Sequence, residues 1–123
     1  MNKIKILLVA LITSLLYGCG STLKNVRDSN TIYSNTLNGN YSNISRCVVN
    51  HLQEKNFPLY NIAIYPDNKT AEIKARSTNQ YFFEIKFKQK SDNTVSVSMK
   101  RSDSGWIFIE KAYIALNKCD TRK

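Results

Sequence analysis

Four successive stretches of this chain alternate apolar and polar residues with a period of two, and this pattern constrains the fold more than any other feature. Tyr60, Ile62 and Ile64 alternate with Asn61, Ala63 and Tyr65, and Ala71, Ile73 and Ala75 alternate with Glu72, Lys74 and Arg76. Tyr81, Phe83, Ile85 and Phe87 alternate with Phe82, Glu84, Lys86 and Lys88, and Val95, Val97 and Met99 with Thr94, Ser96, Ser98 and Lys100. Successive side chains on a strand point to opposite faces, so each stretch has one apolar side and one polar side. Pro66-Asp67-Asn68-Lys69, Ser77 to Gln80 and Ser91-Asp92-Asn93 supply turn chemistry between them. The expectation is an antiparallel meander, covered on one face and wet on the other.

Helical spacing flanks the meander. Ile44, Cys47, Val48, His51 and Leu52 fall on one stripe. Ser42 or Asn43 can cap its start, and Asn56 and Pro58 supply stop signals. Ser102-Asp103-Ser104-Gly105 interrupts the strands, and Ile109, Ala112, Tyr113, Leu116 and Cys119 then recur at helical spacing. Trp106 lies one turn earlier on much the same side. The spacing predicts a helix from about Gly105 to Lys118, with Trp106 to Ile109 open to the alternative of a short fifth strand. The order α-β-β-β-β-α predicts an α+β fold: a four-stranded antiparallel sheet with two helices on one face. Residues 20–41 are rich in Ser, Asn, Thr and Gly and show neither period, which reads as a flexible tether with a span of roughly 25 Å.

The N-terminus carries a different signal. Lys3 and Lys5 precede an apolar run from Ile6 to Leu16, too short to span a bilayer, and the run ends in Leu16-Tyr17-Gly18-Cys19. Leu-x-Gly-Cys resembles the lipobox of bacterial lipoproteins, with Tyr17 where a small residue is commoner. The resemblance covers residues 1–19. It implies a signal peptide over 1–18, a diacylglycerol thioether on Cys19, and a further acyl chain such as palmitate on its amino group. Two or three chains anchor stably where one binds only marginally. Gly20, where an Asp tends to retain such proteins in the inner membrane, favours the outer one. The organisation expected is a signal peptide (1–18), a lipidated N-terminus and tether (19–41), and a small α+β domain (42–123). The domain is expected in the cell envelope, on the periplasmic face of the outer membrane. An ordinary secreted protein cut nearby, with Cys19 incidental, is the alternative.

Export decides how the other cysteines and the charge are read. Exported proteins meet an oxidising compartment, so Cys47 and Cys119 are expected to pair; two buried free thiols are the alternative. No second histidine completes a metal site, and no cofactor is expected. The whole chain has a formal charge of +9, from 18 basic and 9 acidic residues. Removing residues 1–18 takes only Lys3 and Lys5 and leaves about +7. In the envelope that charge points away from nucleic acid and toward lipid headgroups, lipopolysaccharide phosphates or acidic protein and glycan surfaces. The alternative is that the lysines keep a small sheet soluble and its edges unpaired.

Catalytic constellations are sparse. His51, the single histidine, lies beside an apolar helical stripe, and no serine stands in a nucleophile elbow. Glu72 and Glu84 can neighbour each other on the wet face, where a glycosidase would need two carboxylates in a cleft. Lys74, Arg76, Lys86 and Lys88 share that face, so cross-strand ion pairing is the better account. The candidate binding face is Tyr65, Lys74, Arg76, Phe82, Lys86, Lys88 and Lys100, where aromatics stand beside cations. These readings converge on a non-enzymatic envelope lipoprotein, anchored through its N-terminal lipid, whose small domain contacts a protein or envelope component. The alternatives are an inhibitor or immunity protein against an envelope-acting toxin or hydrolase, a lipid- or glycan-active enzyme using Glu72, Glu84 or His51, and direct binding of anionic lipid or lipopolysaccharide.

Overall fold

The computed structural model describes residues 22–53 and 58–121. The signal peptide, Cys19 and the stop signal at Asn56 lie outside the described residues. In chain order the elements are α1 (Leu23–Arg27), β1 (Thr31–Asn38), α2 (Tyr41–Leu52), β2 (Leu59–Tyr65), β3 (Thr70–Arg76), β4 (Tyr81–Ser91), β5 (Thr94–Arg101), a 3-10 helix (Asp103–Phe108) and α3 (Ile109–Cys119). The fold class is α+β, as expected, with one strand more than expected. The strands form a single antiparallel sheet in the order β1-β5-β4-β3-β2.

The four period-two stretches are the four consecutive strands β2 to β5. Ile73, Ile85 and Met99 lie side by side across β3, β4 and β5, and Ala71, Phe87 and Val97 form the next row. All six are buried, under Ile44, Val48 and Leu52 of α2 and Ala112 and Leu116 of α3. Each large side chain so buried contributes about 1.5–3 kcal/mol relative to exposure. This core holds the sheet and the two helices together.

The fifth strand is β1, drawn from residues read as tether, and not the Trp106–Ile109 segment. β1 adds to the free edge of β5, with Asn35 opposite Val97 and Leu37 opposite Val95. Its composition hides it because an edge strand buries little; Leu37 is its one fully buried residue. The chain then turns directly into α2, which Asn40 caps by accepting from the N–H groups of Ser42 and Asn43. The cap therefore stands two to three residues ahead of its expected place. The Gln89 side chain holds this junction to the sheet. Its Oε1 accepts from the Tyr41 N–H, and its Nε2 donates to the Gly39 carbonyl.

Trp106 to Phe108 belong to the 3-10 helix, and α3 begins only at Ile109. The reason lies in a close approach. A Cβ on Gly105 would come within 2.0 Å of the Phe82 carbonyl oxygen, so only glycine lets the segment settle on β4. Ser102 reinforces this seat, donating its N–H to the Phe82 carbonyl and its hydroxyl to the Tyr81 carbonyl. Trp106 consequently does not join the apolar stripe of α3 and is 67% exposed.

Helices α2 and α3 pack together on one sheet face and are joined by a Cys47–Cys119 disulfide that closes a separation of 72 residues. In the chain-entropy account a closure of that length contributes about 4 kcal/mol. The variant Cys47→Ala/Cys119→Ala is expected to lose stability on that scale, read as a lower denaturant midpoint with the same sheet signature in circular dichroism. Tyr60 makes the opposite case. Its hydroxyl is buried with no hydrogen-bond partner among the described residues, and burial pushes its pKa up to about 12. Removing an unsatisfied buried hydroxyl is favourable, so Tyr60→Phe is expected to stabilise the fold by about 1 kcal/mol. Unfolded tyrosine ionises near pH 10, whereas folded Tyr60 resists ionisation until about 12, so this residue costs stability progressively as pH rises between the two. Melting curves at pH 7 and pH 11 should show the stabilising effect of Tyr60→Phe growing with pH.

Candidate functional site

The sheet face opposite α2 and α3 carries the polar half of every strand. Register sets the rows. Lys74, Glu84 and Lys100 stand side by side across β3, β4 and β5; Glu72, Lys86 and Ser98 form the next row, and Thr70, Lys88 and Ser96 the row after. Tyr65 pairs with Thr70 at the β2 edge, and Arg76 lies opposite Tyr81 at the other end of the sheet. Six of the seven candidate residues are thereby placed on or at the margins of this face.

Phe82 is the exception and a correction. It is buried rather than displayed, with its ring 4.6 Å from that of Phe108. The cause is a bulge: Ala75 pairs with Phe83 and Arg76 with Tyr81, which leaves Phe82 as an extra residue. The bulge breaks the alternation, and Phe82 packs under the 3-10 helix.

Part of the open face is covered by α1, which composition assigned to the tether. Thr22 caps α1 by accepting from the Asn25 N–H, and Val26 is fully buried against the sheet. Arg27 clamps the helix down. Its Nη2 donates to Glu84 Oε2 at 3.1 Å and its Nε to Oε1 at 3.4 Å, and it lies 3.9 Å from Glu72. Lys100 Nζ donates to the Arg27 carbonyl at 2.8 Å. The hydrogen bond to Glu84, and then the attraction of its charge, hold the Arg27 guanidinium more firmly protonated than usual.

Glu84 is 2% exposed, a carboxylate nearly removed from water. Such burial is tolerated only when charge and hydrogen bonds compensate it. Arg27 supplies most of the compensation, with Lys86 at 3.9 Å and Lys74 at 4.0 Å. Glu72 pairs with Lys74 at 3.1 Å. The two carboxylates thus sit inside one five-membered charge network with Arg27, Lys74 and Lys86.

Beyond α1 the face stays open. A groove of about 350 Å³ runs over Thr70, Glu72, Lys86, Lys88, Ser96 and Ser98. Two exposed ammonium groups beside short hydroxyl side chains suit an anionic, hydrogen-bonding ligand. A second depression, of about 370 Å³, lies at the far end among Asn40, Pro66, Lys69, Lys90 and Asp92. His51 is remote from both. Its ring nitrogens and the sulfurs of Cys47 and Cys119 lie within 4.8 Å of one another, but the sulfurs are bonded to each other and do not serve as ligands.

Arg27 was not among the candidate residues, although it organises the site. A five-residue helix shows no period; the usable signal was Thr22 ahead of Leu23, Val26 and Arg27. Among the described residues no helix is long and apolar enough to cross a membrane. Comparison with protein-family models and with curated proteins finds no match to this chain.

The clamp makes a direct prediction. Arg27→Ala should lower stability by about 1–2 kcal/mol, because a buried carboxylate loses its main partner while Lys74 and Lys86 remain. Hydrogen exchange should show the Val26 and Asp28 amides, bonded to the Thr22 and Lys24 carbonyls, losing protection ahead of the sheet. Unchanged protection in Arg27→Ala would mean that Val26 and the Lys100 hydrogen bond hold α1 without the guanidinium.

Proposed function

We propose that this protein is a non-enzymatic, lipid-anchored envelope lipoprotein that holds a small binding domain at the membrane surface. In this reading the groove over Lys86, Lys88, Ser96 and Ser98 contacts an anionic protein or envelope component on the periplasmic face of the outer membrane. The observation that carries the reading is the disulfide behind a lipobox-type N-terminus. A disulfide joining two helices supports an exported chain, and Leu16-Tyr17-Gly18-Cys19 resembles an export and acylation signal. The ion-paired state of Glu72 and Glu84 favours binding over acid–base chemistry.

The fold also revises how the anchor acts. With α1 clamped to the sheet, only residues 20–22 separate Cys19 from the ordered domain. Even fully extended, four residue steps span about 14 Å. The anchor therefore works as a short leash that sets an orientation, rather than as a roaming tether.

The intact mass of the membrane-extracted protein, unreduced and with thiol alkylation, tests this. The expected mass is that of residues 19–123 plus acyl chains, less two hydrogens, with no alkylation. A mass without acyl chains would refute the anchored reading, and two reactive thiols would remove the disulfide that supports it. A photo-cross-linker placed at Ser98 should then capture one envelope partner, and Lys88→Glu should weaken the adduct while leaving acylation and the fold unchanged.

A further inference from the structure

The register brings one end of the sheet together at Leu59, Arg76, Tyr81 and Arg101. Leu59 pairs with Arg76, Arg76 with Tyr81, and Arg101 with Phe83. The 3-10 helix is seated on this same end through Ser102 and Gly105, which both contact the Phe82 carbonyl. Three large apolar side chains are exposed here: Trp106 at 67%, Ile107 at 56% and Leu59 at 43%. Leu23, the first residue of α1, borders a depression of about 300 Å³ with Ile62, Arg76 and Tyr81 at this end. The chain from Cys19 therefore reaches the domain toward the end of the sheet that carries Arg76, Arg101 and Trp106.

We propose that this end of the domain is a membrane-contacting surface, with Trp106 and Ile107 seated at the headgroup–acyl boundary and Arg76 and Arg101 on anionic phospholipid headgroups. The inference rests on the anchored reading for its orientation and goes beyond it in naming the surface. A leash of about 14 Å is shorter than the domain it holds, so the end carrying Leu23 is the one that faces the bilayer. Tryptophan favours that boundary because its ring is apolar and its N–H remains in reach of headgroup oxygens. Exposed apolar side chains gathered at one place, rather than scattered singly, mark an interaction surface. Arginine complements a negative leaflet, and a second contact of this kind strengthens an acyl anchor. The opposite end, with the Pro66–Lys69 and Asp92–Asn93 turns, then stands about 35 Å outward, the length of the eleven-residue β4. The Lys86–Lys88 groove opens sideways between them.

Trp106 is the one tryptophan in the chain, so its fluorescence reads this surface directly. The full-length protein extracted from membranes is reconstituted into phosphatidylethanolamine–phosphatidylglycerol vesicles, with and without bromine on the lipid acyl chains. The expected result is a shift of Trp106 emission to shorter wavelength, and quenching by brominated lipid of roughly half or more. Ile107→Asp should reverse both changes, and since Ile107 is exposed the fold should be retained. Emission characteristic of water, equal quenching by acrylamide in vesicles and in solution, and no effect of bromine would overturn the inference. The intact mass of the same preparation separates the two readings. An acylated protein with unquenched Trp106 retains the anchor and loses the surface; an unacylated protein whose Trp106 is quenched retains the surface and loses the anchor.

Discussion

Strand β4 is buried on both faces over Phe82 to Ile85, and that double burial organises the rest of the structure. In an antiparallel sheet one face is usually left to water. Here Phe83 and Ile85 are sealed by α2 and α3, while Glu84, between them, points to the other side and is also withdrawn from water. A carboxylate in that position demands a cover that brings its own positive charge. The cover is α1, with Val26 excluding water and Arg27 meeting the carboxylate. Once α1 is pinned, the chain that follows it is delivered to the free edge of β5, where β1 forms. The segment ahead of α2 is thereby drawn into the domain by one buried charge near the centre of the sheet.

The two ends of the sheet have different chemistry, and the connections explain why. At one end a bulge at Phe82, a glycine at 105 and the Ser102 hydrogen bonds fold the chain back as a 3-10 helix, which leaves Trp106 and Ile107 on the outside. At the other end are polar turns, the Gln89 junction and the C-terminal residues that tie to β1. Asp120 accepts from the Asn38 N–H, and Thr121 donates its hydroxyl to the Asn38 carbonyl. The disulfide fastens α2 to the last residue of α3 close to that tie. One end of the sheet is therefore apolar and cationic and the other is polar.

The candidate site was legible where it follows from alternation and illegible where it depends on contacts between distant segments. Lys74, Lys86, Lys88 and Lys100 share a face because strand geometry puts alternate residues on one side, a property of each stretch alone. The ion pairing of Glu72 and Glu84 follows from cations at neighbouring registers. Phe82 broke the rule because a bulge depends on how β4 pairs with β3, which no single stretch encodes. Arg27 lies 57 residues from Glu84 in the chain, and nothing in its own neighbourhood marks it as the partner of a buried carboxylate.

Local pattern was enough to determine strands β2 to β5, the two long helices and the face they share, because each buries a continuous apolar stripe whose period survives in the residue order; the pairing of Cys47 with Cys119 was expected from the export reading instead. Tertiary structure alone decided the fate of residues 22–38, the bulge at Phe82 and the outward turn of Trp106. The physical reason is the same in all three. An edge strand, a five-residue helix and a 3-10 turn bury too few side chains to leave a period, so their conformations are set by what the finished sheet offers them: a free edge on β5, a buried carboxylate on β4, and a close approach to the Phe82 carbonyl that only a glycine allows.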